Sequence, residues 1–123
     1  MTSVIVPQLD TVTIETPTST SIKLKGTITQ KETVQELDGF FRAIHQNAVA
    51  SNAESVVVDV SQLTFVNSMA LHLFVDWATW LKNENGHRYK LRLRMSRRVT
   101  WQMTSAAALT ILMADVLTVE RVD

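Results

Sequence analysis

The stretch "VVVDVSQLTFVNSMALHLF", residues 56–74, decides how this chain is read. It opens as a nearly continuous β-branched run, the composition of a central strand buried on both faces. It then meets the polar pair Asn67-Ser68, where an amphipathic helix begins. Placing residues at ~100° intervals from Ser68 puts Ser68, His72, Asp76, Thr79, Lys82 and Asn83 on one narrow polar arc. Met69, Ala70, Leu71, Leu73, Phe74, Trp77, Ala78, Trp80 and Leu81 fill most of the remainder, with Val75 at the rim. Such a helix buries its broad apolar face and leaves Ser68 at the head of a solvated stripe. Either Asn67 or Ser68 satisfies the helix cap, so one of the two is spare for display.

Working outward, "TVTIET" from residue 11 alternates, with Val12 and Ile14 between polar neighbours. "SIKLKGTIT" sets Ile22, Leu24 and Ile28 against Lys23, Lys25, Thr27 and Thr29. Period two predicts half-buried strands, joined by the turn-rich "TPTST". Thr29 and Glu32 have the spacing of a capping box, and Val34, Leu37, Phe41, Ile44 and Ala48 continue at helical spacing to about Ala50. The second helix is expected to stop at "NENG", where Gly86 suits a left-handed terminal position. "RYKLRLRM" alternates again, "SRRVTWQMTSAAALTILMA" reads as a third helix or helix pair, and "VLTVERV" as a last strand. The order is β-β-α-β-α-β-α-β. Strands alternating with helices imply parallel pairing, and the first two strands add an antiparallel member. The fold class is α/β: a mixed β-sheet with helices packed mainly on one face. One domain over residues 1–123 is expected, with residues 1–9 a flexible or short-strand N-terminus.

Composition narrows the functions. Twelve acidic residues balance twelve basic ones, and there is no cysteine, which removes disulfides, thiolate metal sites and thiol catalysis. Neither a signal peptide nor a membrane span is legible, so a cytoplasmic protein is expected. His45, His72 and His87 are scattered without ligand spacing, and no glycine-rich phosphate loop exists, so no metal or cofactor is expected. Ser68, His72 and Asp76 lie one helical turn apart, but a triad needs a pocket and an oxyanion site that an exposed stripe does not supply. No enzyme is expected. Lys23, Lys25, Arg88, Lys90, Arg92 and Arg94 fall on polar strand faces, with Arg97 and Arg98 near. Such a stripe binds phosphates or an acidic protein, or is simply solvated. Zero net charge and the lack of a reading helix argue against nucleic acid.

"VVVDVSQLTFVNSMAL" resembles the signature of STAS domains (sulfate transporter and anti-sigma factor antagonist), in which an apolar strand and Asp-Ser-Ser/Thr-Gly-Leu open the second helix. "IKLKGTIT" is similar to the family's early strand ending in Gly-x-Leu-Asp, and "SRRV" lies where the family often has Ser-Pro-x-Val. The resemblance covers roughly residues 10–122. In the small bacterial members the serine after the Asp is phosphorylated by a partner kinase that often doubles as an anti-sigma factor; that serine matches Ser68. It implies a non-enzymatic, partner-switching regulator of transcription, with Ser68 the phosphorylation site. Asn67, Ser68, Met69, His72, Asp76 and Thr29 would form the partner surface, and a serine kinase or anti-sigma-like factor, with a phosphatase, would be the partners. The chain departs from the pattern in three places. Asn67 stands for Asp, Met69-Ala70 for the small Ser/Thr-Gly pair, and Thr29 for an acidic residue. The alternative is a STAS scaffold or ligand-sensing module that is not phosphorylated. The sequence leaves the oligomeric state open.

Overall fold

In the computed structural model, which describes residues 9–86, 88–102, 108 and 115–122, the chain builds one five-stranded sheet. The described elements are β1 (Leu9–Glu15), β2 (Ser19–Ile28), α1 (Lys31–Ala50), β3 (Ser55–Val66), α2 (Ser68–Lys82), β4 (Lys90–Met95) and β5 (Leu117–Arg121). The strands lie side by side in chain order. β1 pairs antiparallel with β2, and every later pair is parallel. This is the mixed α/β sheet expected from the element order. Residues 100–102 are helical, but most of the third helix predicted between Ser96 and Ala114 lies outside the described residues, as does His87.

Each parallel step moves the chain one strand in the same direction. Right-handed crossovers therefore put their helices on one face. α1 and α2 do share a face: Phe41 of α1 packs its ring 5.5 Å from Phe74 and 4.6 Å from Trp77 of α2. Beneath them lie Ile22, Leu24, Val56, Val58, Val60, Leu91 and Leu93, all buried. The opposite face is open and polar. Across it the register aligns Lys23 with Asp59, Asp59 with Arg94, and Arg94 with Glu120, a row of alternating sign. Opposite charges directly facing one another stabilise adjacent strands.

Three local expectations are corrected. Val12 and Ile14 face solvent, 55% and 60% exposed, while Thr11 and Thr13 turn toward the helices. β1 is an edge strand, and alternation gives its period without its phase. The first helix is capped one residue later than the Thr29/Glu32 box requires: Gln30 is the N-cap and makes no side-chain cap bond. That shift places Glu32 at the second helical position, out of register for a reciprocal bond to Thr29. The second helix ends at Lys82 with Asn83 as its C-cap in a right-handed conformation. Gly86 is not left-handed. Its amide donates to Glu84 Oε1 at 3.1 Å, so a side chain closes the turn that glycine conformation was expected to close. The glycine with positive φ is Gly26, at 130°, inside β2.

A candidate partner-docking site at the head of the second helix

β2 and β3 run parallel and finish together, Ile28 opposite Val66. Each then passes directly into a helix, so the starts of α1 and α2 sit at the same edge of the sheet. The Asn67 amide donates to the Ile28 carbonyl at 2.9 Å and ties the two exits together. Thr29, exposed and next to Ile28 in the chain, therefore lies at the same edge as Asn67.

β3 reaches that edge through two irregularities. Between Lys23 and Lys25 of β2, and again between Gly26 and Thr27, β3 carries one extra residue. A bulge of this kind bends the strand and re-aims its side chains. Asp59 holds the first one, its carboxylate accepting from the Ser61 amide at 2.9 Å and the Ser61 hydroxyl at 2.6 Å. Gly26 supplies the positive φ at the second, and its carbonyl accepts from the Thr64 hydroxyl at 3.1 Å. Carbonyls displaced from the ladder find other donors. Buried Gln102 gives its amide to Val60 and Leu63, and the Trp101 indole donates to Leu63 at 2.7 Å. Beyond the second bulge Phe65 faces solvent, 52% exposed.

At the helix start the division of labour between Asn67 and Ser68 is clear. Asn67 has extended backbone angles, and its Oδ1 accepts from the Ala70 amide at 2.9 Å. Asn67 is thus the cap. Ser68 occupies the first helical position, exposed. Replacing Asn67 by Ala is expected to lower unfolding free energy by about 1 kcal/mol, and Ser68 by Ala to change it by no more than about 0.5 kcal/mol, in urea denaturation. A larger loss for Ser68→Ala than for Asn67→Ala would reverse the assignment.

The whole polar stripe is exposed as expected: Ser68, His72, Asp76, Thr79, Lys82 and Asn83. Met69, 53% exposed, stands beside it. Met69, His72 and Asp76 line one side of a shallow groove of about 340 Å³; Val34, Asp38 and Arg42 of α1 line the other. Arg42 is held at the far end, 3.1 Å from Asp38 and with its guanidinium 4.6 Å from the centre of the Trp80 ring. Among the described residues, His72 and Asp76 have no ion-pair or hydrogen-bond partner, and nothing links either to Ser68. No group of three potential ligands gathers among those residues in a way that could hold a metal. The arrangement offers a binding surface: an unengaged, exposed hydroxyl at the helix start, exposed Phe65 and Met69 within three residues of it in the chain, and a groove with an unpaired carboxylate. Phe65 escaped the sequence reading because β3 was read as buried on both faces; alternation with buried Val56, Val58, Val60 and Val66 turns it outward, and the two bulges together leave that phase unchanged.

No protein-family model matches the chain, and no curated protein matches it. Solved structures that share its fold include two anti-sigma factor antagonists. An anti-sigma factor antagonist from Mycobacterium paratuberculosis superimposes with a TM-score of 0.63 at 18% identity, covering 92% of this chain and 88% of that one. The anti-sigma factor antagonist SpoIIAA, in its unphosphorylated form, gives a TM-score of 0.51 at 16% identity, covering 82% of each chain. The chain is a STAS-like domain by fold.

Proposed function

We propose that the chain is a non-enzymatic, partner-switching regulator. The exposed Ser68 hydroxyl is its phosphorylation site, and the surface through Phe65, Met69, His72, Asp76 and Thr29 docks a protein partner. The observation that carries this reading is the capping bond from Ala70 to Asn67. Asn67 does the structural work, so Ser68 is held at a helix start without being needed there. The likeness to anti-sigma factor antagonists supports a protein partner of the anti-sigma type; in this reading that partner or another is the serine kinase, and a phosphatase resets the switch.

The physics of the switch follows from position. A phosphate on Ser68 brings about −1.5 to −2 charges to the positive end of α2, where free amides and the helix dipole favour an anion. The domain therefore tolerates the modification. A partner covering the start of α2 would have to desolvate the dianion there, at a cost of several kcal/mol. Binding to the unmodified form and release of the modified one are the consequence. Among the described residues no helix is long and apolar enough to cross a membrane.

The test is capture from a lysate of the source cells with the immobilised full chain, the captured protein then being purified and its affinity measured. Ser68→Ala is expected to bind within about three-fold of the unmodified protein, and Ser68→Asp at least ten-fold more weakly. Equal affinity of all three forms would favour the second reading, a scaffold that docks without being phosphorylated. Met69 supports that reading, being a bulky side chain where the family's small residue would let a kinase approach.

A further inference from the structure

The open face of the sheet carries basic groups that the docking surface does not use, at the opposite end of β3 from Ser68. In register, Ser55 of β3 lies opposite Lys90 of β4, and Thr118 of β5 lies opposite Arg92. All four belong to the open face, since the residues that follow or precede them, Val56, Leu91 and Leu117, are buried on the helix face. Neighbouring strands are about 4.8 Å apart and same-face residues about 6.8 Å apart along a strand, so the four frame a patch of roughly 10 by 7 Å. They line a concavity of about 640 Å³ together with Arg88 and Glu54.

Its donors are largely unengaged. Among the described residues the Lys90 ammonium and the Ser55 and Thr118 hydroxyls make no hydrogen bond or ion pair. Arg88 is fixed at the rim by bonds to the carbonyls of Lys82 and Glu84 at 2.7 and 3.1 Å. Arg92 is oriented by Glu120 through one terminal nitrogen. Three cations and two hydroxyls thus line the concavity against one lining carboxylate, Glu54. We propose that this concavity binds a diphosphate-bearing small molecule, Lys90 and Arg92 each meeting one phosphoryl group and Ser55 and Thr118 donating from either side. Two cations one same-face step apart match a pair of linked phosphoryl groups better than a single one. The next row of the face alternates in sign through Lys23, Asp59, Arg94 and Glu120, so no continuous basic track exists for a nucleic acid to follow. Among the described residues the large exposed apolar side chains are Val12, Ile14, Phe65, Met69 and Val122, and none lines the concavity, which disfavours a lipid surface.

The full chain, labelled with nitrogen-15, would be titrated at low salt with inorganic pyrophosphate, inorganic phosphate and ADP. Saturable amide shifts are expected at Ser55, Lys90, Arg92 and Thr118 with pyrophosphate, half-saturating at or below about 1 mM, and weaker ones with phosphate. Lys90→Met should weaken pyrophosphate about ten-fold and Thr118→Val about three-fold, whereas Lys23→Met, on the same face outside the concavity, should change it less than two-fold. ADP binding more tightly than pyrophosphate would identify a nucleotide, and equal binding a bare diphosphate group; both sustain the proposal. Absence of saturation by about 10 mM, or equal losses for Lys23→Met and Lys90→Met, would overturn it by showing no site or only diffuse attraction.

Discussion

Gln102→Ala is expected to destabilise the domain by about 3 kcal/mol, more than any surface change, because three backbone groups each lose a hydrogen bond in the buried interior at once. The Gln102 side chain is fully buried, 0% exposed. Its amide nitrogen donates to the Val60 and Leu63 carbonyls, and its Oε1 accepts from the Ser96 amide at 2.6 Å. One side chain therefore completes the hydrogen bonding of bulged β3 and of the turn after β4. Leu63 retains the Trp101 indole, so the Val60 carbonyl and Ser96 amide bear most of the cost. Gln102→Met, which keeps the volume and removes the polar groups, should recover only the packing part, about 1 kcal/mol. Equilibrium urea denaturation checks both. A loss below about 1 kcal/mol for Gln102→Ala would mean that the bulged carbonyls do not depend on it.

The second large effect lies where α1, α2 and the chain entering β4 meet. The Trp77 indole donates to the Tyr89 hydroxyl, since an indole N–H has no other role. The phenolic hydrogen is then free for His45 Nδ1, 2.7 Å away. His45 Nδ1 is thereby the acceptor, and its proton sits on Nε2, facing Glu84 Oε2 at 3.5 Å. Trp77→Ala empties a large buried volume and unties this chain, and is expected to cost about 3–5 kcal/mol. The same chain sets a pH dependence. Burial lowers the His45 pKa below its ordinary 6.5, although the Glu84 carboxylate pulls the other way, and burial pushes the Tyr89 hydroxyl well up. A base whose pKa is lowered on folding binds more protons unfolded, so its contribution is fully present above pH 6.5 and is lost as pH falls through the folded value. Protonation would also give Nδ1 a hydrogen that clashes with the one arriving from Tyr89. Unfolding midpoints between pH 7.5 and 5 should fall more steeply for the natural chain than for His45→Gln. Parallel curves would remove His45 as the cause.

How much of this was legible beforehand depends on the range of the interactions. Helix α2 was readable residue by residue, because its polar arc and apolar face are set by local periodicity and each member lies within one element. The central strand and the Ile22, Leu24 and Ile28 face of β2 followed for the same reason. The phase of β1 was not readable, because an edge strand with threonines between valine and isoleucine has no internal clue to which side meets the helices. Phe65 was missed because the β-branched run of β3 was read as buried on both faces, whereas only one face of the strand is covered by helices at that end and Phe65 falls on the other. The bonds of Gln102 to β3 and the Trp77–Tyr89–His45 chain join residues 12 to 44 positions apart, beyond any periodic signal. At the site itself, Asn67, Ser68, Met69, His72, Asp76 and Thr29 were all placed on one edge of the molecule. Their roles in binding remain the content of the proposal.

The regulatory reading stands on a hydroxyl that a foreign enzyme can reach, and one measurement addresses it directly. The full chain would be incubated with ATP and a lysate of its source cells, recovered, and weighed intact, then digested to locate any modification. A gain of about 80 Da, mapped to Ser68 and absent from Ser68→Ala, is the expected result. A chain that returns with its mass unchanged, while capturing the same partner as before, would contradict the switch.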